Sequence, residues 1–191
     1  MQFELQPHLK GELLELRPLR ADDWDALYAV ASDPLIWEVH PERDRYKEEV
    51  FRRFFDGAME SGGAFVVIDS NTGEVIGSSR YSNFDPDRSE VEIGWTFLAR
   101  SHWGGRYNQD MKRVMLAHAF QFVDRVVLLV GPQNFRSRRA AEKIGGVERG
   151  RRFADGRESV VYEITAENFR NGPLARKPSR ALSERSGNSA G

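Results

Sequence analysis

"FLARSHWGGRYNQDMKRVMLAHAF", residues 97–120, decides the architecture. It begins as the end of an apolar strand and turns through a basic corner. It ends as a helix that, with Phe122 just beyond, sets Met111, Met115, His118 and Phe122 on one stripe. A turn alone needs one glycine. This corner has two, Gly104 and Gly105, with Arg100, His102 and Arg106 around them. The first backbone N–H groups of a helix have no partner inside it, and the helix dipole leaves about half a positive charge there. A phosphate at that end gains ~0.3–1 kcal/mol from the dipole. Glycines let the main chain approach closely enough for several N–H groups to point at one anion. The spacing matches neither a Walker sequence nor a dinucleotide fingerprint.

Upstream of the corner, "LLELRPL" (13–19) alternates leucines as a strand does, and Pro18 closes it. "RADDWDALYAVAS" predicts a helix with Trp24, Leu27, Tyr28 and Ala31 at 3–4 spacing. "KEEVFRRFFDGAMES" predicts a second, with Val50, Phe54 and Met59 inward. "GAFVVID" and "EVIGSSRYSN" read as strands joined by a turn at "SNTG". "SEVEIGWTFLA" is a further strand, leading into the corner. Downstream, "RVVLLVGPQN" is a short strand apolar on both faces, and "NFRSRRAAEKIGG" is a helix begun by Asn134 and ended by Gly145. "VERGRRFAD" and "ESVVYEI" are two last strands joined at "DGR". Three strands in direct succession predict antiparallel pairing, and strand–helix–strand through the corner predicts one parallel pair. The expected fold class is α+β: a mixed, mostly antiparallel sheet with helices flanking it. The expected division is an N-terminal extension at 1–12, one domain at 13–167 and a disordered polar tail at 168–191.

The 191 residues suffice for one domain with a proper core. No run approaches the ~18 apolar residues of a membrane span, and the N-terminus lacks a secretory pattern. With no cysteine there is no disulfide, thiolate metal site or cysteine nucleophile. The expected setting is cytoplasmic, with no membrane partner. The net charge of −1 gives no global attraction to nucleic acid. Arginines nevertheless clump in "RSRR" (136–139) and "RGRR" (149–152), which suits a small anion better than a duplex, and no aromatic residues interleave with them as in nucleic-acid binders. His8, His40, His102 and His118 are scattered, with no metal-ligand spacing.

From Leu13 to Ile164 the order of elements resembles the GNAT superfamily of acetyl-CoA-dependent N-acetyltransferases, and within it the group that acetylates ribosomal-protein N-termini. Two motifs carry the likeness: "EIGWTFLARSHWGGRYNQDMK", similar to the family's strand, pyrophosphate loop and helix, and "NFRSRRAAEKIGG", similar to its Asn-x-x-Ser…Glu-Lys-x-Gly helix. The resemblance implies two parallel strands, 90–98 and 126–130, that splay to admit the pantetheine arm of acetyl-CoA. It implies that backbone groups of Thr96, Phe97 and Leu98 pair with that arm like an added strand. Gly104, Gly105, Arg106, Tyr107, Asn108 and Gln109 would then wrap the pyrophosphate. Asn134 would hold the arm from the other side, with Ser137 near the sulfur. Where the family loop carries Gln or Arg, then Gly, then Gly or Ala, this chain has Trp103, Arg106 and Asn108. Where many relatives place a tyrosine acid, it has Ala141, leaving Ser137, Tyr107 or water as proton donor to the thiolate.

Acetyl transfer requires a neutral amine. At pH 7 an α-amine is about one-tenth neutral, a handicap near 1.4 kcal/mol; a lysine is neutral a few times in ten thousand, a handicap near 4.6 kcal/mol. Glu92 sits where some relatives keep a glutamate base, and partial burial would raise its pKa usefully; Glu90 on the same strand face is the reserve. His118 reads as packed, and His102 as a contact to cofactor or water. The acceptor pocket is expected from the early helices and "DPLIWEVHPERDRY", with Trp37, His40 and Arg43 lining it and Trp24 and Trp95 in the core. The reading is therefore an N-acetyltransferase acting on a peptide N-terminus or small amine by direct attack in a ternary complex. The alternative is a CoA-binding module without catalysis. A homodimer is left open.

Overall fold

The computed structural model describes residues 3–154 and 156–175. In chain order the elements are β1 (Leu9–Lys10), β2 (Leu14–Pro18), α1 (Trp24–Ala31), α2 (Pro34–Trp37), α3 (Glu48–Glu60), β3 (Ala64–Asp69), β4 (Val75–Asp85) and β5 (Glu90–Leu98). There follow α4 (Arg106–Ala119), β6 (Arg125–Val130), α5 (Phe135–Lys143), β7 (Val147–Ala154), β8 (Arg157–Thr165) and α6 (Ala166–Asn171). The strands form one eight-stranded sheet in the order β1-β2-β3-β4-β5-β6-β8-β7. Every neighbouring pair is antiparallel except β5–β6, the parallel pair on either side of α4. The α+β class and the mixed sheet expected from the sequence are those observed.

β3 shows how the sheet separates two cores. Phe65 and Val67 face one layer, Ala64 and Val66 the other, by the two-residue period of a strand. The first layer holds α4, whose Met111, Met115 and Leu116 are fully buried with Tyr81, Val91 and Val126. The second holds α1, α2 and α3, with Leu27, Trp37, Phe51 and Phe55 packed over Phe97. The site lies where these layers meet the parallel pair.

Several expectations change. On α3 the inward stripe is Phe51, Phe54, Phe55 and Ala58, while Met59 is exposed and Val50 half-buried. The i, i+3, i+4, i+7 set of aromatics buries more area than the set through Met59. The extension at 1–12 contributes β1 and a buried Phe3, which packs against Tyr81, Phe84 and Phe122. The expected disordered tail starts inside α6, and Leu174 beyond it is buried; 176–191 lies outside the described residues. Arginines of both clumps make internal contacts. Arg149 and Arg151 pair with Glu163 and Glu158 on the outermost hairpin, and Arg138 bonds Tyr162 and Glu148. A charged, bulged edge strand of this kind resists pairing with other chains.

Candidate functional site

The parallel pair exists only at its start: Glu90, Val91 and Glu92 pair with Arg125, Val126 and Val127, after which β5 continues to Leu98 and β6 to Val130 without further pairing. The cause is a bulge. The β4–β5 register shifts between Ser78 and Arg80, and Trp95 on the bulged strand takes a left-handed φ of 50°. A bulge bends its strand and increases its twist. β5 therefore follows β4 while β6 stays paired with β8 along its whole length, and a cleft opens between them. A polar trio fills the bulge from the α4 side. Ser79 Oγ and Thr96 Oγ1 are 2.8 Å apart, and Lys112 Nζ donates to Thr96 Oγ1 at 2.7 Å. Lys112 is buried, and desolvation lowers its pKa to about 7. Sequence reading missed it: next to the apolar Met111 stripe, a lysine reads as a solvent-facing helix position.

The three backbone contacts expected along β5 are not equivalent. The Phe97 carbonyl faces β4, where a Cβ on Gly77 would collide with it, and its ring sits in the second core. The Leu98 carbonyl already accepts the Trp103 indole N–H at 2.9 Å. Thr96 sits at the bulge itself, its side chain bonded to Ser79 and Lys112.

At the corner, Gly104 and Gly105 both hold φ near +100°, a conformation that L side chains rarely adopt, and α4 begins at Arg106. Its N-cap is Gly105, and no side chain caps it. The N–H groups of Arg106, Tyr107 and Asn108 thus start the helix without intrahelical acceptors, as an anion site requires. Gln109 N–H, by contrast, bonds the Gly105 carbonyl, and the Gln109 side chain lies alongside Gly105.

Two side chains of the corner brace the loop. Tyr107 donates its hydroxyl to Asp69 Oδ2 at 2.7 Å, and His102 Nε2 lies 3.1 Å from the same oxygen. With the N–H groups of Asn71 and Thr72 also bonding it, the Asp69 carboxyl is held down to about 2. The carboxylate in turn raises the Tyr107 hydroxyl's pKa. From α5, the Arg136 guanidinium stacks 4.1 Å over Trp103 and bonds the Ile36 carbonyl, tying loop, α5 and α2 together. Asn134 is buried and caps α5, its Oδ1 accepting from Ser137 N–H at 3.1 Å. Ser137 is half-buried in the helix's first turn, at the end of β6. Ala141 is buried in the first core, so no acid comes from that place.

Glu92 stands at the fork itself, where the pairing of β5 with β6 ends. It is buried, and desolvation raises its pKa against the pull of an Asn83 hydrogen bond of 2.8 Å and of Arg152 and Arg80. Asn83 reaches it from a second irregularity in β4, where the residue takes a left-handed φ of 49°. No sequence signal marks Asn83, because its register with Glu92 depends on that irregularity. Glu90, the reserve base, is instead ringed by arginines: Arg88, Arg125 and Arg152 all approach it.

Beside Arg80 and Trp95 opens a cavity of about 740 Å³, formed by the loop 41–45, α3 and Arg157 of the last hairpin. Of the expected lining, Arg43 is there. Trp37 is instead fully buried, its indole donating to the Ala31 carbonyl. His40 lies behind the loop, its Nδ1 accepting from Glu42 N–H, and desolvation drops its pKa to about 4. Trp95, expected in the core, lines the cavity. A wider cleft of about 910 Å³ between α1 and the β3–β4 turn includes Asp33 and Ile36 of the expected acceptor segment but not Trp37, His40 or Arg43.

An open fork between parallel strands, an uncapped helix start and a buried carboxylate where the fork begins come together at the end of the parallel pair. Residues 14–147 match the family model described as the acetyltransferase (GNAT) domain, and the chain belongs to that family: it is an acetyltransferase. The uncharacterized N-acetyltransferase p20 from Bacillus licheniformis is 27% identical over 165 residues, 81% of this chain and 92% of that protein. A GCN5-related N-acetyltransferase from Brucella melitensis superposes with a TM-score of 0.75 at 22% identity, covering 86% of this chain and 80% of that one. RimJ of Mycobacterium smegmatis, solved with CoA-disulfide, superposes with a TM-score of 0.64 at 23% identity over 84% of this chain and 87% of that one.

Proposed function

We propose that the protein transfers the acetyl group of acetyl-CoA to a primary amine, a peptide N-terminus or a small amine, by direct attack in a ternary complex. The observation that carries this is Glu92: a buried carboxylate with raised proton affinity, fixed by Asn83 at the apex of the fork. Acetyl-CoA fits the residues present. The first N–H groups of α4, with Arg106, would hold its pyrophosphate. Thr96 and Asn134 would hold its arm from the two sides of the cleft, with Ser137 near the sulfur. Bound there, it supplies an acetyl thioester. The acceptor nitrogen bonds the carbonyl carbon as the C–S bond breaks, and Glu92 takes the amine's proton directly or through one water. The departing sulfur collects its proton from Ser137 or water.

The reading of a CoA-binding module without catalysis rests on Ala141 and the altered loop. Glu92 at the fork favours turnover over it. The deciding experiment incubates the protein with acetyl-CoA and a library of amines and short peptides, monitoring acetyl mass gain and thiol release. Turnover that falls in Glu92→Gln supports the reading. Binding of acetyl-CoA with no acetylated product establishes the inert module.

A further inference from the structure

We propose that the acceptor is a zwitterion: a primary amine whose own molecule carries a carboxylate or phosphate, which Arg80 binds. This rests on the acetyltransferase reading and narrows its acceptor. Arg80, on β4, is buried to 7% exposure and lines the 740 Å³ cavity. Its Nε is buried and has no hydrogen-bond partner among the described residues. The opposite charge it feels, from Glu92, is Coulombic and involves no hydrogen bond. A buried guanidinium in that state is costly, and folded chains ordinarily pair such groups. Aromatic rings flank it instead, its Cζ 4.7 Å from the Trp95 ring centroid and 5.7 Å from that of Phe54. That leaves the edge of the fork, which matches a carboxylate or phosphate with two parallel bonds.

Two further observations point the same way. The cavity wall carries five arginines against Glu42 and Asp44, in a chain whose net charge is −1. Glu42 already bonds Arg45 and Arg157, and Asp44 bonds Lys47, so neither acid is left to neutralise Arg80. The Trp95 platform is also strained. A bulky residue at φ 50° is an outlier that the surrounding structure must enforce, and such outliers cluster at ligand sites.

The register then sets the ligand's length. Arg80 is opposite Gly94 and Ser82 opposite Glu92, so Arg80 and Glu92 are diagonal neighbours across β4 and β5. Diagonal neighbours lie ~7–8 Å apart. An anion on Arg80 therefore leaves the amine of the same small molecule, or of a peptide's acidic first residue, within reach of Glu92.

Three matched pairs of acceptors test this and separate the sources of the anion: β-alanine with its amide, O-phosphoethanolamine with ethanolamine, and Glu-Ala-amide with Gln-Ala-amide. In the intact enzyme the anionic member of at least one pair should lead by tenfold or more in kcat/KM, chiefly through KM. Arg80→Gln should shrink that lead to within about twofold, and Arg80→Lys, which keeps the charge but loses the fork, should fall between. Equal rates within all three pairs, or a lead that survives Arg80→Gln, overturn the proposal. Succinate binding to the CoA-loaded protein, followed by calorimetry, gives a readout independent of turnover. It should be lost in Arg80→Gln with the circular dichroism and melting of the native fold retained. Acetylation of neutral amines alone removes this inference and leaves the acetyltransferase reading intact. No acetylation of any amine removes that reading, and succinate binding then decides whether Arg80 holds an anion.

Discussion

Glu92 can accept a proton only when ionised, and burial has moved its ionisation upward from the ordinary glutamate range. Activity should therefore rise with pH through that raised pKa, on a limb that stays fixed when the acceptor is changed. A second limb, from the amine itself, should move with the acceptor's own pKa. Glu92→Gln should abolish the fixed limb and lower kcat by ~10²–10⁴-fold for lysine-like amines, less for α-amines, which need less help. A fixed limb that persists in Glu92→Gln would remove the assignment. Lys112 allows a second test of sign. Its pKa is about 7 in the folded protein against 10.5 in an exposed lysine, so between those values the unfolded chain binds the extra proton and stability rises with pH. The burial penalty is fully present below pH 7 and relieved toward pH 10.5, each tenfold loss of proton affinity costing about 1.4 kcal/mol. Lys112→Met, which leaves Ser79 and Thr96 bonded to each other, should raise the melting temperature at pH 6 and lose most of that gain by pH 10. At this scale Glu92 was legible because its strand position carries it. Asn83 and Arg80 were not, since both sit at shifts of the β4–β5 register that an ordinary strand pattern does not show, and Lys112 was not, since a lysine on a helix reads as solvent-facing.

The corner before α4 works as an element whose shape is enforced from both sides. Asp69 holds Tyr107 and His102, Arg136 stacks on Trp103, and the two glycines take the positive φ values between them. A Cβ on Gly104 would meet nothing within 4 Å, so Gly104→Ala introduces backbone strain without a clash. At φ +103° that strain is ~1–3 kcal/mol. The loop should relax by turning its N–H groups off the anion, raising KM for acetyl-CoA about tenfold or more while the melting temperature moves little. Steady-state kinetics and calorimetry with CoA check both halves, and an unchanged KM would mean that the glycines serve the turn alone. The order of the long elements was readable from periodicity and turn residues. The short ones, β1, α2 and α6, were not: two to six residues carry too little period to distinguish them from loop. The bonds of Tyr107 and His102 to Asp69 were not legible, because Asp69 lies on a distant strand whose pairing alone brings it there.

For the molecule as a whole, the pattern of strands and helices predicted one α+β sheet with a single parallel pair, and the sheet has that form because strand alternation and the α4 crossover leave few other ways to bury both faces. What the pattern could not show is where the cores end. Phe3 and Leu174 fall outside the expected domain at 13–167, yet both belong to the first core, at 5% and 7% exposure. The ends are isolated apolar residues in polar surroundings, without the repetition that marks a core face. If they close the core, Phe3→Ala should cost ~3–5 kcal/mol and Leu174→Ala ~2–5 kcal/mol, the usual range for emptying a buried site. If they are appendages, each should fall within the ±0.5 kcal/mol typical of surface substitutions. Urea unfolding of the full chain and of each variant distinguishes these outcomes, read at the midpoint with an unchanged slope. Phe3 should give the larger effect, since its ring meets Tyr81, Phe84, His118 and Phe122 at centroid distances of 5.1–5.6 Å. Tyr81 in turn donates its hydroxyl to the Met115 carbonyl. Loss of Phe3 should therefore loosen the sheet's grip on α4, and KM for acetyl-CoA should rise in that variant alone.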